Sequence, residues 1–132
     1  MSDRDPVVYV VDDDNAVRHS LEWLLGDGDF DVVSFSSANE FLEKMDPTQP
    51  GCLVVDVRMP GMSGLELQRE LKARAIDLPV IIITGHSDQN MARCALSAGA
   101  MDFLEKPLDD TMLLTLVRKA LGKGSPEDAP SS

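Results

Sequence analysis

Three short apolar runs, each ending in a polar group suited to holding an ion or a phosphate, constrain this chain more than any other feature. Val7-Val8-Tyr9-Val10-Val11 runs into Asp12-Asp13-Asp14, Cys52-Leu53-Val54-Val55 into Asp56, and Val80-Ile81-Ile82-Ile83 into Thr84. Runs this short, apolar throughout and bounded by turn residues, read as strands covered on both faces, the pattern of a parallel sheet between helices. In such a sheet, ligands bind beyond the carboxyl ends of the strands. The polar groups that close the three runs are therefore expected on one rim.

The segments between the runs have helical period. Val17, Leu21, Leu24 and Leu25 form a stripe closed by Gly26 and Gly28, with His19 on the solvated side and Trp23 beside the stripe as partly buried packing. Val32, Val33 and Phe35 read as a second strand. Ser37-Ala38-Asn39-Glu40 and Ser63-Gly64-Leu65-Glu66 have capping-box spacing, the second opening a helix that carries Leu67, Leu71 and Ala75 on one face. Met91, Cys94, Ala95 and Ala98 share a register up to Gly99. Met101 to Leu104 reads as a fifth strand, broken by Lys106-Pro107. Asp109 or Asp110 then caps a last helix bearing Met112, Leu113, Leu116, Val117 and Ala120. Five strands alternating with five helices predict an α/β fold: a doubly wound five-stranded parallel sheet with helices on both faces. Residues 1–121 form the domain and 122–132, rich in Gly, Ser, Pro and acid, a flexible tail or linker.

Charge narrows the function. With 12 Lys plus Arg against 23 Asp plus Glu, a net charge of −11 argues against gripping nucleic acid by phosphate neutralisation. The N-terminus lacks the pattern of a signal peptide, and no apolar run approaches the roughly 18 residues that span a membrane, so a cytoplasmic location is expected. Cys52 and Cys94 both sit among apolar neighbours and read as small core residues with reduced thiols.

Asp12, Asp13 and Asp56 on one rim would repel one another, and a hard divalent cation such as Mg²⁺ is the natural counterweight. An Asp beside such a cation can attack phosphorus and become an acyl phosphate, a role for which Asp56 is placed. The Thr84 hydroxyl and the Lys106 ammonium could each hold a phosphoryl oxygen. Taken singly, each residue has a plainer reading: the acidic trio as a solvated turn capping a helix, Thr84 as a β-branched strand end, Lys106 as a solvated side chain, Phe103 as core. An EF-hand is excluded by the missing Gly and terminal Glu.

Four blocks in order, Val10-Val11-Asp12-Asp13-Asp14, Asp56-Val57-Arg58-Met59-Pro60-Gly61-Met62-Ser63-Gly64, Thr84-Gly85-His86 and Asp102-Phe103-Leu104-Glu105-Lys106-Pro107, make the chain resemble a response-regulator receiver domain of two-component signalling, in the FixJ-like group. The resemblance implies the flavodoxin-like fold typified by CheY, and phosphoryl transfer from a sensor histidine kinase onto Asp56. It implies Mg²⁺ held by Asp13, the Asp56 side chain and the Arg58 main-chain carbonyl, with Asp12 assisting. Thr84 and Lys106 would bind the phosphoryl group; Thr84, Phe103 and a cis Lys106-Pro107 bond would belong to the switch; Arg58 and His86 would tune the lifetime of the phosphoryl group. It further implies a phosphoacceptor switch rather than a metabolic enzyme, a phosphorylation-dependent homodimer through the fourth helix and fifth strand, and DNA contact only through an output domain outside this chain, which would then be a truncated form or a stand-alone receiver. One stretch departs from the group: Ser87-Asp88-Gln89-Asn90-Met91 stands where relatives commonly have Gly-Asp, an aliphatic residue, Pro and Met.

Two other functions compete. A haloacid-dehalogenase-like phosphatase would use Asp12 as nucleophile and Asp14 as acid/base, with Thr84 and Lys106 in support, but leaves Asp56 without a role. A phosphorylation-independent interaction module would need none of Asp13, Asp56, Thr84 and Lys106.

Overall fold

A computed structural model describes residues 5–28, 30–85 and 88–122. Ten elements alternate: β1 (Val7–Val11), α1 (Asn15–Asp27), β2 (Asp31–Phe35), α2 (Ala38–Lys44), β3 (Gly51–Asp56), α3 (Gly64–Ala73), β4 (Val80–Thr84), α4 (Gln89–Ser97), β5 (Asp102–Glu105) and α5 (Asp110–Ala120). All pairings in the sheet are parallel, in the order β2-β1-β3-β4-β5. The chain winds outward from β1 to β2 and then returns to place β3 on the other side of β1. The β1–β3 boundary is therefore the topological switch point, where a crevice opens at the carboxyl ends of the strands.

Alternation along the strands sorts the core into two layers. Val8, Val10, Cys52, Val54, Ile81 and Ile83 face Leu21 and Leu25 of α1 and Leu113, Leu116 and Val117 of α5. Tyr9, Val11, Leu53, Val55 and Ile82 face the opposite way, onto Phe41 of α2, Leu67 and Leu71 of α3 and Ala95 of α4. Tyr9, Phe35 and Phe41 form an aromatic cluster in which Phe41 meets both partners edge-on, at 5.2 and 5.6 Å between ring centroids. The edge strand β2 is exposed at Asp31 and Val33.

The local signals hold with small displacements. At Ser63 the capping box closes in both directions. At Ser37 it closes in one: the hydroxyl accepts from the Glu40 N–H, but Glu40 Oε1 accepts from the Ser36 N–H instead of the Ser37 N–H. Asp109, rather than Asp110, caps α5 by accepting from the Met112 N–H.

Three packing expectations are corrected. Trp23 is 75% exposed, because it lies about 200° around α1 from the buried Leu21 and Leu25. Cys94 is exposed, because α4 packs through Ala92 and Ala95, whereas Cys52 is fully buried and its thiol is pushed up to about 12. Ala75 does not continue the α3 face: the helix ends at Ala73, and Ala75 turns the chain with φ 57°, a left-handed conformation usually given to glycine. Among the described residues no helix is long and apolar enough to cross a membrane.

Candidate functional site at the carboxyl ends of the strands

The crevice gathers the acidic residues that follow β1 and end β3. Asp12, Asp13 and Asp56 each offer a carboxylate oxygen, and these oxygens lie within 4.8 Å of one another. Their surroundings differ. Asp13 is exposed, whereas Asp12 and Asp56 are buried, at 1% and 7% exposure. Asp12 Oδ1 accepts the Asp14 N–H at 2.9 Å, and its Oδ2 is a buried acceptor without a partner among the described residues. Burial pushes the Asp12 carboxyl up to about 6; the Asp14 N–H opposes this, and the Asp56 charge reinforces it.

Asp56 is held from two sides. Its Oδ1 accepts the Arg58 N–H at 2.9 Å, because the chain turns back sharply after β3, and its Oδ2 accepts Lys106 Nζ at 2.9 Å. Gly64 permits that turn: a Cβ there would meet the Asp56 carbonyl oxygen at 2.8 Å and the Val57 Cα at 2.9 Å. Lys106 arrives from the end of β5 and precedes a cis bond to Pro107. Burial alone would lower the Lys106 ammonium, but the hydrogen bond and charge of Asp56, with Asp12 and Asp14 beyond, hold it above the ordinary lysine range.

Thr84 ends β4 next to Asp56, whose register partner is Ile83. The threonine is fully buried and its hydroxyl has no partner among the described residues. Phe103 pairs in register with Ile82 and is half-buried against the Tyr9 layer, so it belongs to the same wall. His86 lies outside the described residues. Asp14 does not join the carboxylate group: its Oδ1 caps α1, accepting the Ala16 N–H at 2.8 Å and the Val17 N–H at 3.4 Å. A groove of about 730 Å³ opens beside Lys106 and Pro107 and runs along α1 past His19 to Trp23.

Sequence reasoning overlooked Asp88. Its carboxylate receives the Arg58 guanidinium through Nε at 3.1 Å and Nη2 at 2.6 Å. The only sequence signal was an acid just ahead of the α4 register, which ordinarily means a helix cap.

The donor set suits a hard cation. It offers carboxylate oxygens only, with neither thiol nor imidazole among the three residues, and Asp12 carries a buried Oδ2 without a partner among the described residues.

Comparison with known proteins agrees with this geometry. The family model for the response regulator receiver domain matches residues 8–118. The chain is 49% identical over 128 residues to the transcriptional regulatory protein FixJ of Azorhizobium caulinodans, covering 94% of this chain and 61% of that protein. It is 48% identical over 121 residues to the response regulator protein TodT of Pseudomonas putida, covering 92% of this chain and 53% of that protein. The solved FixJ-N structure superposes with a TM-score of 0.85 at 44% identity, covering 90% of this chain and 95% of that one. The response regulator StyR superposes with a TM-score of 0.84 at 44% identity, over 96% of this chain and 64% of that one. The chain thus spans little more than half the length of the curated relatives it matches. With the strand order, the carboxylate crevice and the family match in agreement, the chain belongs to the response-regulator receiver domains, the phosphorylation-activated switches of two-component systems.

Proposed function

We propose that Asp56 is the phosphoacceptor of this domain, loaded by the phosphohistidine of a sensor kinase. The observation that carries this reading is the pair of contacts on Asp56: Lys106 Nζ on Oδ2 and the Arg58 N–H on Oδ1, next to the Asp12 and Asp13 oxygens. A carboxylate so held is fixed for in-line attack on phosphorus.

Asp12, Asp13, the Asp56 side chain and the Arg58 main-chain carbonyl would hold Mg²⁺. Bound there, the cation supplies charge neutralisation for the phosphoryl oxygens and relieves the repulsion among the carboxylates. In the transfer itself, an Asp56 oxygen forms a bond to phosphorus as the P–N bond of the phosphohistidine breaks, and the imidazole leaves with the electron pair. Hydrolysis ends the loaded state: water attacks phosphorus as the bond from phosphorus to the Asp56 oxygen breaks, inorganic phosphate departs, and the carboxylate is restored. Lys106 stays near the phosphoryl oxygens throughout. Thr84, whose buried hydroxyl has no partner among the described residues, turns to donate to one of them.

That turn is the start of the switch. Moving Thr84 leaves room beside Ile82 and Phe103, and the region from Thr84 to Phe103 repacks with the cis Lys106-Pro107 bond as its border. A changed α4–β5 surface then serves homodimerisation or release of an output domain, through which any DNA contact would be made. Residues 122–132 act as the tail or linker in this scheme. Arg58 and His86, each two residues beyond a phosphoryl-binding group, set the lifetime of the acyl phosphate. The domain turns over no metabolite, and the cytoplasm, where a kinase would meet it, is its proposed location.

The test is intact mass after exposure to a small phosphodonor with and without Mg²⁺, for the wild type and Asp56→Asn. A single labile phosphoryl group that needs both Mg²⁺ and Asp56 is the expected result. Labelling that survives Asp56→Asn would overturn the reading.

A further inference from the structure

Asp88 stands at the position that should cap α4, yet its side chain makes no cap hydrogen bond to that helix. Its Oδ1 is taken by Arg58 instead, and the residue is only 6% exposed, whereas the Arg58 side chain is 69% exposed. A buried carboxylate that forgoes its own helix for a mostly exposed guanidinium is committed to that guanidinium. The same carboxylate is close to the Gly85 backbone, and the Asp88 N–H donates to the Gly85 carbonyl at 3.0 Å. Asp88 therefore joins the loop that follows Asp56 to the loop that follows Thr84.

Arg58 touches two anions. Its main-chain N–H is pinned to Asp56 Oδ1 while its side chain is held by Asp88. The guanidinium is held above its usual range chiefly by Asp88 and, to a smaller degree, by the Asp56 charge. The Asp56 carboxylate, which accepts the N–H of the same residue at 2.9 Å, is the second anion beside Arg58.

We propose that Asp88 is a positioning residue for phosphoryl loading: by engaging the Arg58 guanidinium it withholds a positive charge from the Asp56 site and so limits the affinity of that site for anionic phosphodonors. The inference rests on the reading of Asp56 as the acceptor. Without Asp88, the guanidinium becomes available to the incoming phosphoryl oxygens and the donor is captured at lower concentration.

Acetyl phosphate with saturating Mg²⁺ is the probe. Its P–O bond to acetate breaks as the bond from Asp56 oxygen to phosphorus forms, and acetate leaves with the electron pair. Because the Asp88 side chain makes no cap hydrogen bond to α4, Asp88→Ala removes the pair without removing a helix cap, and Asp88→Asn offers a second variant that keeps the side-chain shape. The half-saturating acetyl phosphate concentration is expected to fall about threefold in Asp88→Ala and to move in the same direction in Asp88→Asn, with the maximal rate unchanged. In an Arg58→Ala background, adding Asp88→Ala should change nothing further. Two outcomes would overturn the proposal: an unchanged half-saturating concentration in both variants, or an effect of Asp88→Ala that persists undiminished without Arg58, as a purely structural loosening of α4 would give. Wild-type protein that takes up no phosphoryl group would overturn the acceptor reading and this inference together, whereas normal wild-type loading with unaltered variants removes this inference alone.

Discussion

Asp12→Asn should stabilise the metal-free protein at neutral pH, although it removes a residue from the centre of the site. Burial raises the Asp12 carboxyl from the ordinary 3.8 to about 6, so the folded state favours its protonated form. Between about pH 4 and pH 6 the folded state then binds more protons than the unfolded chain, and stability falls as the pH rises through that window. Above it the full cost remains. About 1.4 kcal/mol per pKa unit gives about 3 kcal/mol before water in the open crevice screens the charge, and about 1–2 kcal/mol after it. Asn is nearly isosteric, can still accept the Asp14 N–H, and carries no charge to be desolvated. Urea unfolding followed by circular dichroism, in chelator at pH 7, should show Asp12→Asn more stable by about 1–2 kcal/mol, with the gap narrowing as the pH approaches 4. Saturating Mg²⁺ should shrink or invert the gap, since binding to the folded state favours the wild type. A variant no more stable than the wild type in chelator, or a gap independent of pH, would refute the reasoning.

Further outcomes follow from the packing. Gly64→Ala places a Cβ within 3 Å of the Asp56 and Val57 backbone, so it should cost about 1–3 kcal/mol in urea unfolding and slow phosphoryl uptake by displacing Asp56. Ala75→Gly relieves a left-handed alanine and should raise stability by about 0.5–1 kcal/mol in the same assay. Trp23→Ala should leave stability within about 0.5 kcal/mol of the wild type, because the indole is 75% exposed. As the single tryptophan, sharing a groove with Lys106, Trp23 should also emit as a water-exposed indole whose fluorescence changes on loading of Asp56.

The fold and the crevice were legible because both depend on short-range pattern. Continuous apolar runs define buried parallel strands, and the residue that ends such a run must lie on the rim wherever the strand sits. The gathering of Asp12, Asp13 and Asp56 followed from that rim, and the cis bond at Lys106-Pro107 from the family resemblance. What failed were inferences of side-chain direction within a helix. One position is about 100° of rotation, enough to carry Trp23 and Cys94 from the edge of an apolar stripe to solvent. Ala75 misled for a different reason, since the α3 stop lacks the glycine that usually marks one. Asp88 was illegible because its partner Arg58 lies 30 residues earlier, and only the apposition of two loops beside β4 brings them together.

The most direct test of the account is to load the protein with acetyl phosphate and Mg²⁺, reduce the acyl phosphate with borohydride, and map the modified residue by peptide mass spectrometry. Reduction converts a phosphorylated aspartate to homoserine, so the account predicts homoserine at position 56 and nowhere else. Homoserine at position 12, or none at any position, would contradict it.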